Sequence, residues 1–183
     1  DYIIQLLTGA FISREWLASG IVYQLLLIGY TIACLYWIDD IHIPISTPST
    51  SGVLNLFVGI VVLVLLSFLT QGVIEFGGVA TVGLYTFSAI VSIGVAPISE
   101  ELFFRGVLYN RLRDSYPTML IPIIASSGVF AAAHVPSMVD TFSITRGVLA
   151  FGLHFATGAV LAWMFERNRN ISLCIATHSI YNI

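Results

Sequence analysis

The chain has 183 residues, 57% hydrophobic and 9% charged, with a mean hydropathy of +0.94. Soluble domains carry roughly 25% Asp, Glu, Lys and Arg, so a soluble globular chain is excluded and an integral membrane protein is implied. Seven cations, all Arg, against ten anions give a net charge of -3. That balance excludes a nucleic-acid-binding surface, which needs clustered positive charge. Cys34 and Cys174 sit in apolar runs without CxxC or zinc-ligand spacing, so neither a disulfide framework nor a thiolate metal site is expected. Residues Asp1 to Ser13 lack the basic start and small-residue cleavage site of a secretory signal.

In chain order, Tyr2 to Ile12 is apolar but short, an interfacial helix or part of an earlier span. Trp16 to Ile38 has spanning length and is closed by Asp39 and Asp40. Ile43 to Gly52, with Pro44, Pro48 and several Ser/Thr, reads as a loop outside the hydrocarbon. Val53 to Ile74 is the next span, followed by a turn at Glu75 to Gly78. Val79 to Ala96 is another, its Gly and Ser permitting close helix contact. Pro97 should interrupt it, so that Ile98 to Arg113 begins a new helix. Pro117 to His134, Gly147 to Phe165 and Ile171 to Ile183 complete the set. The expected fold is an all-α, polytopic transmembrane bundle of about six to eight helices. It forms one domain over residues 1–183, with a motif-bearing core at 96–183. The positive-inside rule puts Arg14, Arg111, Arg113, Arg167 and Arg169 on the cytoplasmic side and the Lys- and Arg-free Asp39 to Ser51 loop outside. Helix rise then sets Glu100 and His178 near the bilayer midplane and His134 nearer the outer side.

Glu100, Glu101 and Arg105 lie between apolar spans, where an ionisable group costs about 2.5–3.5 kcal/mol on insertion scales. Glu101 and Arg105 are four apart and so share a helix face as an ion pair. Glu100 is turned about 100° away and is left to point into the bundle interior. A carboxylate there can serve as general base on water, or all three charges can form an interhelical clamp without chemistry. His134 ends the run Phe130-Ala131-Ala132-Ala133-His134, and His178 and Asn182, four apart, project from one face of the last helix. Singly, each has a bland reading as hydrogen-bonding glue between helices. Together, a Glu base, a His orienting water and a His/Asn donor pair supply the parts for amide hydrolysis.

Glu100-Glu101-Leu102-Phe103-Phe104-Arg105-Gly106, Phe130-x-x-x-His134 and His178-x-x-x-Asn182 resemble, in order and spacing, the three motifs of the CPBP family. These are the CAAX proteases and bacteriocin-processing enzymes, also called the Abi family. The resemblance covers Ala96 to Asn182; the N-terminal half is readable only as membrane spans. It implies an all-helical intramembrane endopeptidase acting on a membrane-associated or lipidated peptide or protein. It further implies Glu100 as general base, His134 as its partner in holding water, His178 and Asn182 as oxyanion donors, and Glu101 with Arg105 as support. Membrane lipids are the other expected partner, and the motif variants point to a multi-pass protein of a prokaryotic plasma membrane. His154 stands where relatives often have a small residue and reads as core; His42 reads as a solvated loop residue.

Glu100, His134 and His178 can also be read as a two-His, one-carboxylate zinc site. There is no HExxH, and zinc would occupy the groups needed as base and oxyanion donors, so the expectation is no cofactor. Ser99, Ser126 and Ser127 lack a GxSxG or Ser/His/Asp setting. Two other function classes compete: a non-catalytic scaffold or bacteriocin-immunity partner, and a proton or ion carrier. The carrier reading suffers from the lack of paired broken helices.

Overall fold

The structure, a computed structural model, describes residues 22–36, 43–71, 90–139 and 143–182. The readings for Tyr2 to Ile12, Arg14, His42 and the turn at Glu75 to Gly78 lie outside the described residues. Among the described residues every regular element is helical. We name them α1 (Val22–Tyr36), α2 (Thr50–Gln71), α3 (from Ile90 to Ser115), α4 (Leu120–Ala133), α5 (Val135–Val139), α6 (Ile144–Asn168) and α7 (Ile171–Tyr181).

Polarity is distributed as in a bundle surrounded by lipid. Leu25, Leu26 and Tyr36 on α1, Leu54, Phe57 and Val61 on α2, and Ile144 on α6 are exposed. Gln24, Ser99, Glu100, Glu101, Arg105, Thr157, Thr177 and His178 are buried. In water this arrangement would leave apolar surface wet and charge dry; in hydrocarbon both outcomes are favourable. The 25-residue α6 is apolar and long enough to cross a membrane, and α1, α2, α4 and α7 are shorter apolar helices around it. The protein is a helical membrane bundle.

Two expected boundaries shift. The 43–52 loop is shorter than read, because Ser49 caps α2: its hydroxyl accepts from the Gly52 amide at 3.1 Å, and the helix starts at Thr50. Pro97 does not interrupt its helix. α3 winds as π-helix over Ile90–Val95, α-helix over Ala96–Glu101, π-helix over Leu102–Tyr109 and α-helix over Asn110–Ser115, with right-handed helical backbone at each junction. The proline ring would strike the carbonyl four residues back in a regular α-helix. The wider π turns ahead of it move that carbonyl aside.

A continuous α3 removes one membrane crossing, which overturns the expected sidedness of the 39–51 loop. Pro44 O accepts from the Ile171 amide at 3.0 Å, and Ser46 O accepts from Asn170 Nδ2 at 2.8 Å. At the same end Glu166 binds Arg113 (3.1 Å) and Arg169 (2.6 Å), and Arg169 donates to Asn110 Oδ1 (3.2 Å). The loop therefore sits on the arginine-bearing face, not opposite it. The core near this end is Tyr109, Leu161, Met164, Phe165, Ile171 and Cys174, joining α3, α6 and α7. Deeper in, Phe104 packs edge-on against Phe130 at 5.0 Å, tying α3 to α4.

Candidate active site

The α-helical stretch of α3 presents Glu100 and Glu101 to different neighbours, because consecutive residues are turned about 100° apart. Glu101, fully buried, shares one oxygen between two partners. Arg105 Nη1 donates to Oε1 at 2.8 Å, as the four-residue spacing predicts, and His178 Nδ1 donates to it at 2.9 Å. Arg105 also reaches α6, donating from Nη2 to Gly158 O at 3.0 Å, and its guanidinium lies 5.0 Å from the Phe130 ring centroid. Three helices are thus joined around one buried charge pair. Glycine at 158 is needed here: a Cβ would stand 3.1 Å from Ser127 Cα on α4.

Glu100 faces the other way, into the bundle. Its Oε1 accepts from Gln24 Nε2 of α1 at 3.1 Å. A carboxylate only accepts, so this bond fixes the Gln24 amide and turns its carbonyl to the Ser99 hydroxyl. Glu100 Oε2 lies 4.0 Å from His134 Nε2 and 4.0 Å from His178 Nε2. His134, expected nearer the outer side, is therefore level with Glu100.

Both imidazoles are held by their far nitrogens. His134 Nδ1 donates to Phe130 O at 2.8 Å, one turn back, and His178 Nδ1 to Glu101. The Nε2 edges consequently point at Glu100. The His134 ring is flanked by Phe130 (4.8 Å between centroids) and by His154 (4.3 Å).

Asn182 follows α7, four residues after His178, and its Nδ2 donates to Ser92 O on α3 at 2.8 Å. One of its two amide hydrogens is committed there. Glu100, His134, His154, Thr157, His178 and Asn182 line a single cavity of about 240 Å³. All six residues singled out in the sequence thus belong to one connected cluster, four on the cavity and the Glu101–Arg105 pair behind it.

Two contributors went unnoticed in the sequence. Gln24 had a visible signal, a lone amide within the apolar Trp16 to Ile38 stretch. Thr157 had none, since a threonine is unremarkable in a membrane helix. His154, read as core, stands on the cavity instead, its Nδ1 donating to Ala150 O at 2.8 Å.

Zinc fits the trio poorly. A tetrahedral shell with ligands at ~2.05 Å places ligand atoms about 3.3 Å apart. The Glu100-to-imidazole separations are 4.0 Å, and among the described residues no three His, Cys, Asp or Glu groups gather closely enough to hold a metal ion.

Residues 82–183 match the family model described as Rce1-like, type II CAAX prenyl endopeptidase. No curated protein and no solved structure gives a significant match.

Proposed function

Because the chain belongs to the Rce1-like type II CAAX prenyl endopeptidase family, and is thus a membrane protease of the CAAX type, we propose that it cleaves peptide bonds by a metal-free glutamate mechanism. The reading covers a multi-pass protein acting on a membrane-associated or lipidated peptide. One observation carries it: Glu100 Oε2 stands 4.0 Å from the Nε2 of both His134 and His178. That gap is too long for a direct hydrogen bond, and one water bonded to both sides at about 2.8 Å spans it.

Glu100 takes a proton from this water as its oxygen attacks the scissile carbonyl carbon. His134, with its Nδ1 proton on Phe130 O, presents the Nε2 lone pair to the water's other hydrogen and sets its orientation. The oxyanion that forms receives hydrogen bonds from His178 Nε2 and from the second amide hydrogen of Asn182. The His178 donor needs a proton at Nε2, whose charge the Glu101 carboxylate at Nδ1 balances. Collapse of the tetrahedral species breaks the C–N bond, and Glu100 passes its proton to the leaving amine. Gln24 and the Glu101–Arg105 pair position these groups without touching substrate. Buried donors aimed at developing charge are worth more here than in water.

The test uses the protein in lipid vesicles with a prenylated CAAX-type peptide and with unprenylated membrane peptides, the products read by mass spectrometry. Glu100→Gln should lower cleavage by about 10²–10⁴-fold, the range for a general base, and strong chelators should leave wild-type activity intact. Cleavage by Glu100→Gln within a few-fold of wild type would refute the mechanism. Loss of activity to chelators, restored by zinc, would replace it with the metal-dependent reading.

A further inference from the structure

Hydroxyls inside a helix bundle ordinarily satisfy themselves on the carbonyl three or four residues back. In this protein they do so repeatedly. Thr31 donates to Leu27 O at 2.8 Å, Thr177 to Leu173 O at 2.9 Å, Ser127 to Ile123 O at 2.6 Å and Ser126 to Ile123 O at 3.3 Å. Thr157 breaks the pattern. It is 3% exposed, and its hydroxyl makes no hydrogen bond. The nearby carbonyl that satisfies its counterparts is not used. Leaving a buried hydroxyl unpaired is unfavourable, so a packed helix keeps one only where something else compensates.

Its position indicates what compensates. Thr157 lines the same cavity as Glu100, His134 and His178, on α6, whereas those three come from α3, α4 and α7. The hydroxyl therefore belongs to a wall of the cavity that carries none of the groups assigned to water activation or to the oxyanion. A peptide lying in that cavity brings carbonyl oxygens that must be satisfied without water.

We propose that the Thr157 hydroxyl is a substrate-binding donor, hydrogen-bonding a backbone carbonyl oxygen of the peptide held in this cavity. This rests on the peptidase reading above. It adds a fourth helix to the substrate site and explains why the hydroxyl remains unpaired without peptide. One turn earlier on α6, His154 lines the same wall. Its Nδ1 proton lies on Ala150 O, which leaves Nε2 as an acceptor for a peptide N–H. The wall thus offers one donor and one acceptor, the complement of an extended backbone.

The experiment replaces Thr157 by Val, which keeps shape and removes the hydroxyl, and by Ser, which keeps the hydroxyl. The prenylated CAAX-type peptide serves as probe in vesicles, and thermal unfolding is followed on the same preparations. Thr157→Val should lower kcat/KM roughly 10- to 100-fold, approaching the effect of losing one preorganised donor, while Thr157→Ser stays within about 3-fold of wild type. The Val variant should unfold at a temperature equal to or above that of wild type, because an unpaired buried polar group is gone. In a Glu100→Gln background, where turnover is suppressed, adding Thr157→Val should weaken peptide binding about 5-fold or more. Cleavage by Thr157→Val within two-fold of wild type overturns the proposal. So does a Val variant that loses stability together with activity, which would mark the hydroxyl as structural. If wild type cleaves nothing but Glu100→Gln binds peptide in a Thr157-dependent way, the peptidase mechanism fails and this assignment stands. Absence of both binding and cleavage sinks both.

Discussion

Replacing Arg105 by Met tests the electrostatic centre of the bundle. Arg105 is 1% exposed and Glu101 is fully buried, with 2.8 Å between Nη1 and Oε1. Met fills much of the same space but removes the cation, leaving Glu101 with His178 as its remaining partner. Breaking a buried pair by removing one member costs about 3–5 kcal/mol, because the other charge stays desolvated. Arg105→Met also forfeits the bond to Gly158 O and the contact with Phe130. Glu101→Gln keeps one acceptor for Arg105 but not its charge, and should cost about 2–4 kcal/mol. The double variant buries no unpaired charge, so it should be less destabilised than the sum by about 2–3 kcal/mol, the upper part of the range for residues in contact. Reversible SDS-driven unfolding in bicelles, monitored by tryptophan fluorescence, measures all three. Additivity within 0.5 kcal/mol, the behaviour of independent sites, would refute the claim that the pair is one desolvated unit.

Two further outcomes follow from packing and topology. Gly158→Ala gains about 1 kcal/mol of helix propensity but drives a Cβ to 3.1 Å from Ser127 Cα and 3.3 Å from Phe130 Cδ1. Overpacking costs about 1–3 kcal/mol, and backbone cannot swing aside, so the variant should unfold earlier and cleave more slowly; full stability would show that α4 and α6 separate freely. On a background with Cys34 and Cys174 replaced, single cysteines at Ser46 and Ser115 should react with an impermeant maleimide from the same side, and one at Ser143 from the other. Opposite labelling of Ser46 and Ser115 would overturn the sidedness assigned to the 43–49 segment.

Composition and local spacing determined much on their own. A chain with 9% charged residues cannot cover a water-facing surface, so a membrane bundle followed directly. The Glu101–Arg105 pair was legible because residues four apart meet within one helix, whatever the rest of the fold does. The motif set named the right neighbours because four polar groups in an apolar chain have few places to go except toward each other. Other features required tertiary contacts. Gln24 reaches Glu100 across 76 positions, and Asn182 reaches Ser92 across 90; no local periodicity encodes which helices meet or at what rotation. The same holds for Thr157, whose missing bond is visible only against the helices packed around it. The side of the 43–49 segment turned on a backbone detail, π turns carrying α3 through Pro97. A proline's effect on a helix depends on whether neighbouring turns can widen, and that is decided by packing, not by the residue.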